Sequence, residues 1–223
     1  MTLALSGAAL AYQPTLTPQQ TAQAVKEGNA MLQAGGGYVW GPYLLHTYNE
    51  GIRLRPDSPE VDGVAMGTPY ERLRYNAYLS AYQDQPLTSQ QASTLARQVA
   101  GQLTFLIYSH SPLSIDEEEE QWQLAYDKNP SKPRPDREPS YLDLYKTATL
   151  TVDGTALSAA PQVDGPYRDD FTLPNGRADY RFLGVIRYTF DLSGVKGARQ
   201  ASLRFTDSRG KVYTQAIDLS AVR

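Results

Sequence analysis

The sequence predicts an α+β fold in which helices and short strands come first and an antiparallel, β-sandwich-like region comes last. Three observations predict it. Threonines with a Glu or Gln three residues on mark three helix starts before residue 90. A proline-rich, acidic stretch interrupts the pattern near the middle of the chain. After Tyr141 the apolar period shortens to two, and turn residues recur between short runs.

The three starts are Thr17-Pro18-Gln19-Gln20, Thr68-Pro69-Tyr70-Glu71 and Thr88-Ser89-Gln90-Gln91. In each, the threonine oxygen takes a free backbone N–H and the fourth residue reaches back, so Glu71 reads as a cap. Proline at the first helical position adds to two of them, because its missing N–H would be unpaired there anyway. The first helix spans Pro18 to Gln33 and stops at Gly35-Gly36-Gly37, with Ala22, Val25, Ala30 and Leu32 as its apolar face. The second, Pro69 to Tyr82, sets Tyr70, Leu73, Ala77, Tyr78 and Ala81 on one face. The third, Ser89 to Gln102, runs directly into a central strand, Leu103 to Tyr108. Between the first two helices, Tyr38-Val39-Trp40, Tyr43-Leu44-Leu45, Ile52 to Arg55 and Val61 to Met66 read as strands.

Prolines recur every few residues from Asn129 to Pro139, which excludes helix and central strand alike. The chain therefore divides into a segment 1–11, a mixed half 12–110, a loop or linker 111–140, and a sandwich-like half 141–223 that is able to share one domain with the first. In that last half, Thr147 to Val152 meets the hairpin signal Asp153-Gly154, followed by strands at Arg181 to Leu192, Ala201 to Thr206 and Lys211 to Leu219. This spacing of short strands resembles in outline the immunoglobulin-like modules of exported bacterial proteins, on pattern alone.

Composition narrows the function. The 223 residues carry 21 basic and 24 acidic side chains, so the net charge of −3 gives nucleic acid no electrostatic foothold and none is expected as a partner. No apolar run reaches the length of a membrane-spanning helix. With no cysteine, thiol catalysis, disulfides and thiolate metal sites are excluded, and no cofactor is expected. The opening residues are small and apolar and end in Ala9-Leu10-Ala11, the pattern of a signal-peptide cleavage site that would leave Tyr12 first, although no basic residue precedes Lys26. Export to a bacterial periplasm or cell surface, without disulfides, is the expectation.

Sixteen tyrosines against five phenylalanines suit half-buried surfaces, since tyrosine packs a ring while its hydroxyl stays wet. Tyr38, Trp40, Tyr43 and Tyr48 form the candidate binding cluster, with Tyr38 and Trp40 alternating against Val39. His46, Glu50 and His110 offer the residue types of a two-His-one-carboxylate metal site, but without a ligand-spaced motif both histidines read as structural. His110 is the weak catalytic candidate; Ser109 and Ser111, its neighbours in a strand, face away from it, and no G-x-S-x-G elbow is present. The acidic run Asp116, Glu117 to Glu120 lacks calcium-loop spacing and reads as a solvated charge run, as do Asp164, Asp169 and Asp170 in a turn-rich segment.

Three functions follow in order. The first is an exported, non-enzymatic binding or structural module with an envelope protein or glycan as partner. The second is an extracytoplasmic hydrolase of glycan or peptide using a carboxylate pair or His110. The third is a calcium- or partner-regulated module using the acidic run.

Overall fold

The computed structural model describes residues 12–33, 35, 37–48, 60–113, 116, 117, 120, 140–172, 175–195 and 197–223. The expected strand Ile52 to Arg55 and the cleavage site at Ala9 to Ala11 lie outside them.

In chain order come α1 (Pro18–Gln33), a 3-10 turn (Gly41–Tyr43), β1 (Leu44–Thr47), β2 (Val61–Gly67), α2 (Pro69–Tyr82), α3 (Ser89–Gln98), β3 (Gln102–His110), a second 3-10 turn (Tyr141–Leu144), β4 (Ala148–Val152), β5 (Thr155–Ala159), β6 (Gln162–Thr172), β7 (Ala178–Asp191), β8 (Gln200–Thr206) and β9 (Val212–Asp218). All pairings are antiparallel. They build a five-stranded sheet, β1-β2-β3-β7-β6, and a four-stranded sheet, β5-β4-β8-β9. The β-sandwich-like fold thus takes three of the five strands of its larger sheet from the first part of the chain, and β3 pairs with β7 along its whole length, from Gln102↔Asp191 to His110↔Leu183.

Alternation decides which face each residue serves. Leu103, Phe105 and Ile107 of β3 and Ile186, Tyr188 and Phe190 of β7 turn inward and are fully buried. They meet Leu150, Leu203 and Phe205 of the smaller sheet in one continuous core. Tyr188 carries the contact between sheets, its ring 6.4 Å from that of Phe205 and its hydroxyl donating to the Lys146 carbonyl at 2.8 Å.

The helices gather at the end of the larger sheet where β2 leaves and β3 enters. Thr17 and Thr88 make the reciprocal caps expected of them: Gln20 and Gln91 donate N–H groups to the threonine oxygens, and their side chains accept in return. α3 stops at Gln98, four residues early, because Gly101 turns the chain with φ +73°, a conformation that favours glycine. Its N–H reaches the Pro14 carbonyl at 2.6 Å. α1 buries Thr21, Ala24 and Gly28 against α2, not the stripe Ala22, Val25 and Ala30. The small residues Ala24 and Gly28 on the packed face let the two helix backbones come close; a Cβ at Gly28 would overlap the Arg74 carbonyl oxygen.

The hairpin signal at Asp153-Gly154 is borne out: both residues hold positive φ, and β5 returns from the turn to pair with β4, whereas β6 was not foreseen. β6 occupies the segment expected as an acidic turn; its charges are paired, Asp169 with Arg181 at 3.1 Å and Asp170 with Arg168 at 2.8 Å. A register shift between Asp164 and Tyr167 absorbs Gly165-Pro166. Conversely, Tyr38-Val39-Trp40 is not a strand, because Arg74 on α2 takes its carbonyls: Nη2 donates to Val39 O at 3.1 Å and to Trp40 O at 3.3 Å.

One acid joins the two sheets. Glu60, immediately before β2, is fully buried, and its carboxylate accepts from the Ser208 N–H at 3.2 Å and the Ser208 hydroxyl at 2.7 Å in the β8–β9 turn. Burial pushes its carboxyl above the usual range, against the opposing pull of the Ser208 and Tyr145 hydrogen bonds. The folded chain therefore keeps a proton that the unfolded chain releases near pH ~4.3. The resulting stability is complete below that value and is lost as pH rises through the folded pKa. We expect wild-type chain to lose stability relative to Glu60→Gln as pH increases above ~4.3, read by urea unfolding at a series of pH values. A difference between the two proteins that is independent of pH contradicts this.

Candidate functional site

The outer face of the larger sheet, away from the smaller one, bears a groove of about 280 Å³. Its floor is Gly67 of β2 with Thr104 and Leu106 of β3. Opposite Tyr108, Leu106 and Thr104, β2 places Gly63, Ala65 and Gly67 on this side, all buried, so that other groups lie close against the sheet. Trp40 and Tyr75 form the wall, and Arg72, Asn76 and Arg187 supply polar groups around it.

Tyr38 is the hub of the wall. Its ring meets Trp40 edge-on at 5.1 Å, Tyr75 at 4.8 Å and Tyr78 at 5.2 Å, while Trp40 and Tyr75 lie nearly parallel at 5.8 Å with 20° between their planes. Tyr108 closes on Trp40 from the sheet at 6.4 Å, and burial pushes its hydroxyl up to about 12. Both Tyr38 and Trp40 are half-buried, whereas Val39 between them is exposed. They keep the alternation of a strand without strand pairing.

A buried ion pair fixes this wall to α2. Arg74 Nε donates to Glu71 Oε2 at 2.7 Å, with side-chain exposures of 10% and 1%. The Tyr38 hydroxyl donates to the other Glu71 oxygen. Arg74 also stands 5.2 Å from the ring centroids of Tyr38 and Tyr43. Thus Glu71 does not complete the expected capping box: Thr68 does accept the Glu71 N–H at 3.2 Å, but the carboxylate turns inward. Burial drives the Glu71 carboxyl upward, and Arg74 and Tyr38 pull it back.

Of the predicted cluster, the structure brings together Tyr38 and Trp40 and joins Tyr43 to them through Arg74 and through its backbone N–H, which donates to the Trp40 carbonyl at 3.2 Å. Tyr48 lies elsewhere, against His46 at 4.2 Å and Tyr213 at 5.2 Å. Sequence reasoning missed Arg72, Tyr75, Asn76 and Arg187. The first three share one stripe of α2, and Arg187 is a charge amid an alternating apolar strand; those were the available signals.

His110 sits on the outer side of β3, largely buried, with Nδ1 2.9 Å from Asp62 Oδ1. Ser109 faces the opposite way and receives the Tyr145 hydroxyl at 3.0 Å, while Ser111 Oγ accepts the Leu113 N–H. Among the described residues no three His, Asp or Glu side chains are placed to hold a metal. Asp116 and Glu117 are exposed, and Glu50 lies outside the described residues. No helix among the described residues is long and apolar enough to cross a membrane. A larger depression, about 670 Å³ between α1 and α3, is lined by small and apolar side chains such as Ala22, Val25, Leu87 and Ala92 together with polar ones, among them Asn29, Gln33 and Ser93, with Lys26 as its one charged group and no aromatic ring.

No protein-family model, curated protein or solved structure matches this chain, and the groove has to be understood from its own chemistry.

Proposed function

We propose that this chain is an exported, non-enzymatic binding module, placed in a bacterial periplasm or at the cell surface, that holds a small ligand or the end of a larger one in the groove between α2 and the larger sheet. One observation carries the reading: Trp40 and Tyr75 lie nearly parallel beside a polar-rimmed groove, and a buried ion pair, Glu71–Arg74, holds them there. Flat, half-buried rings lining a groove suit stacking of a sugar or a ring-bearing partner on a ring face. The opening Ala9-Leu10-Ala11 and the lack of cysteine support the export part.

A thermal-shift screen against glycans and peptidoglycan fragments tests it, because a ligand that binds only the folded state raises the melting temperature. A stabilising ligand is expected, and Trp40→Ala should weaken its binding by about one to two orders of magnitude. A ligand indifferent to Trp40→Ala moves the site elsewhere. For export, the N-terminus read by mass spectrometry in the host should be Tyr12; a protein retaining Met1 argues against cleavage.

The His110–Asp62 pair favours a second reading, a hydrolase with His110 as base oriented by Asp62. Turnover of a glycan or peptide substrate that disappears in His110→Ala would establish it, and binding without turnover would leave the first reading in place.

A further inference from the structure

The polar rim of the groove is unbalanced. Arg72 and Arg187 both line it, and among the described residues neither has a carboxylate partner; Arg72 Nη1 donates to the neutral Gln102 side chain. The one acid of the lining, Glu71, is committed to Arg74 and Tyr38. Two guanidinium groups therefore line one small volume with no carboxylate partner among the described residues. Burial and the nearby Arg187 charge together depress the Arg72 guanidinium, as expected for like charges held close. An anion between them would relieve that repulsion, and a guanidinium fork matches the paired oxygens of a carboxylate or sulfate.

Two further features narrow the ligand. Asn76 Nδ2 donates to the Arg72 carbonyl at 2.7 Å, and among the described residues its Oδ1 has no donor, leaving an acceptor that an anion does not use and a hydroxyl does. The groove also lies on the face of the sheet, where strand backbones are already paired, so no peptide ladder is available to an extended chain. Resting on the groove reading above, we infer that the ligand is an acidic sugar unit, its ring stacked on Trp40 and Tyr75, its carboxylate or sulfate between Arg72 and Arg187, and a hydroxyl donating to Asn76. At about 280 Å³ the groove suits one such unit, free or at the end of a longer glycan.

Isothermal titration with a galacturonate trimer, a sulfated galactose trimer, a neutral galactose trimer and a triglutamate peptide tests this on wild-type, Arg187→Gln and Trp40→Ala chains. Arg187 is exposed, so its substitution leaves the fold intact. An acidic trimer is expected to bind at least about tenfold tighter than the neutral one, and Arg187→Gln should erase most of that gap. Raised salt should weaken the acidic trimer selectively. Equal binding of acidic and neutral trimers, lost in Trp40→Ala, overturns the acidic inference and spares the groove. Triglutamate outcompeting every sugar selects an acidic peptide instead and also overturns it. An acidic trimer untouched by Arg187→Gln does the same, and failure of all four probes to bind removes the inference together with its sugar-stacking basis. Should Trp40→Ala unfold by circular dichroism, Tyr75→Ala supplies the same comparison.

Discussion

Glu71→Ala is expected to destabilise the chain by about 3–5 kcal/mol, because it leaves the Arg74 guanidinium buried without its carboxylate. The Tyr38 hydroxyl loses its acceptor in the same step, so the hub of the aromatic wall is released as well. Urea unfolding followed by circular dichroism measures the loss, and in a Trp122→Phe background the emission of Trp40 in the folded baseline should shift toward a wetter environment. In a double-mutant cycle, adding Arg74→Ala should recover part of the energy, since the stranded charge is then gone. A cost below about 1 kcal/mol for Glu71→Ala would mean that water reaches the pair and that the wall is held by ring packing alone.

Phe205→Ala should be comparably severe, at about 3–5 kcal/mol, for a different reason. This ring is fully enclosed between the sheets, stacked on Tyr213 at 5.0 Å with 4° between planes and facing Tyr188 at 6.4 Å. Truncation opens a cavity that neither sheet is free to close, because both are held by their ladders. For a chain of this size the melting temperature should fall by about 6–20 °C, while Phe205→Leu, which keeps most of the volume, should cost under about 1.5 kcal/mol. If the two substitutions melt alike, the sheets are not packed around this ring.

The helices were legible because their signals are local: a threonine, a proline and a Glu or Gln suffice to start one, and α2 has the expected bounds. The end of α3 was not, since the turn at Gly101 depends on Pro14 and Leu192, which bond to it from distant parts of the chain. The β6 strand escaped for a related reason: it is an edge strand, mostly exposed, and carries acids whose pairing with Arg168 and Arg181 is invisible in one dimension. At the site, Tyr38 and Trp40 were legible as neighbours of like chemistry. Tyr48 was grouped with them by proximity in sequence alone, and the strand β1 carries it away to Tyr213. Arg187 belongs to the groove only because β7 pairs with β3, and Glu71 looked like a cap because capping and burial call for the same residue at the same position.

That β3–β7 pairing also fixes an order of events during synthesis. Thr104 and Thr189, whose hydroxyls stand 3.2 Å apart across it, are separated by 85 residues, so β3 has no partner on that side until β7 has been made. At about 5–20 residues per second, the ribosome leaves one side of this apolar strand open for about 4–17 s. Contacts this distant in sequence close slowly even in the finished chain. A nascent chain of this topology therefore remains unfinished, and available to a holding chaperone, until β7 has been made.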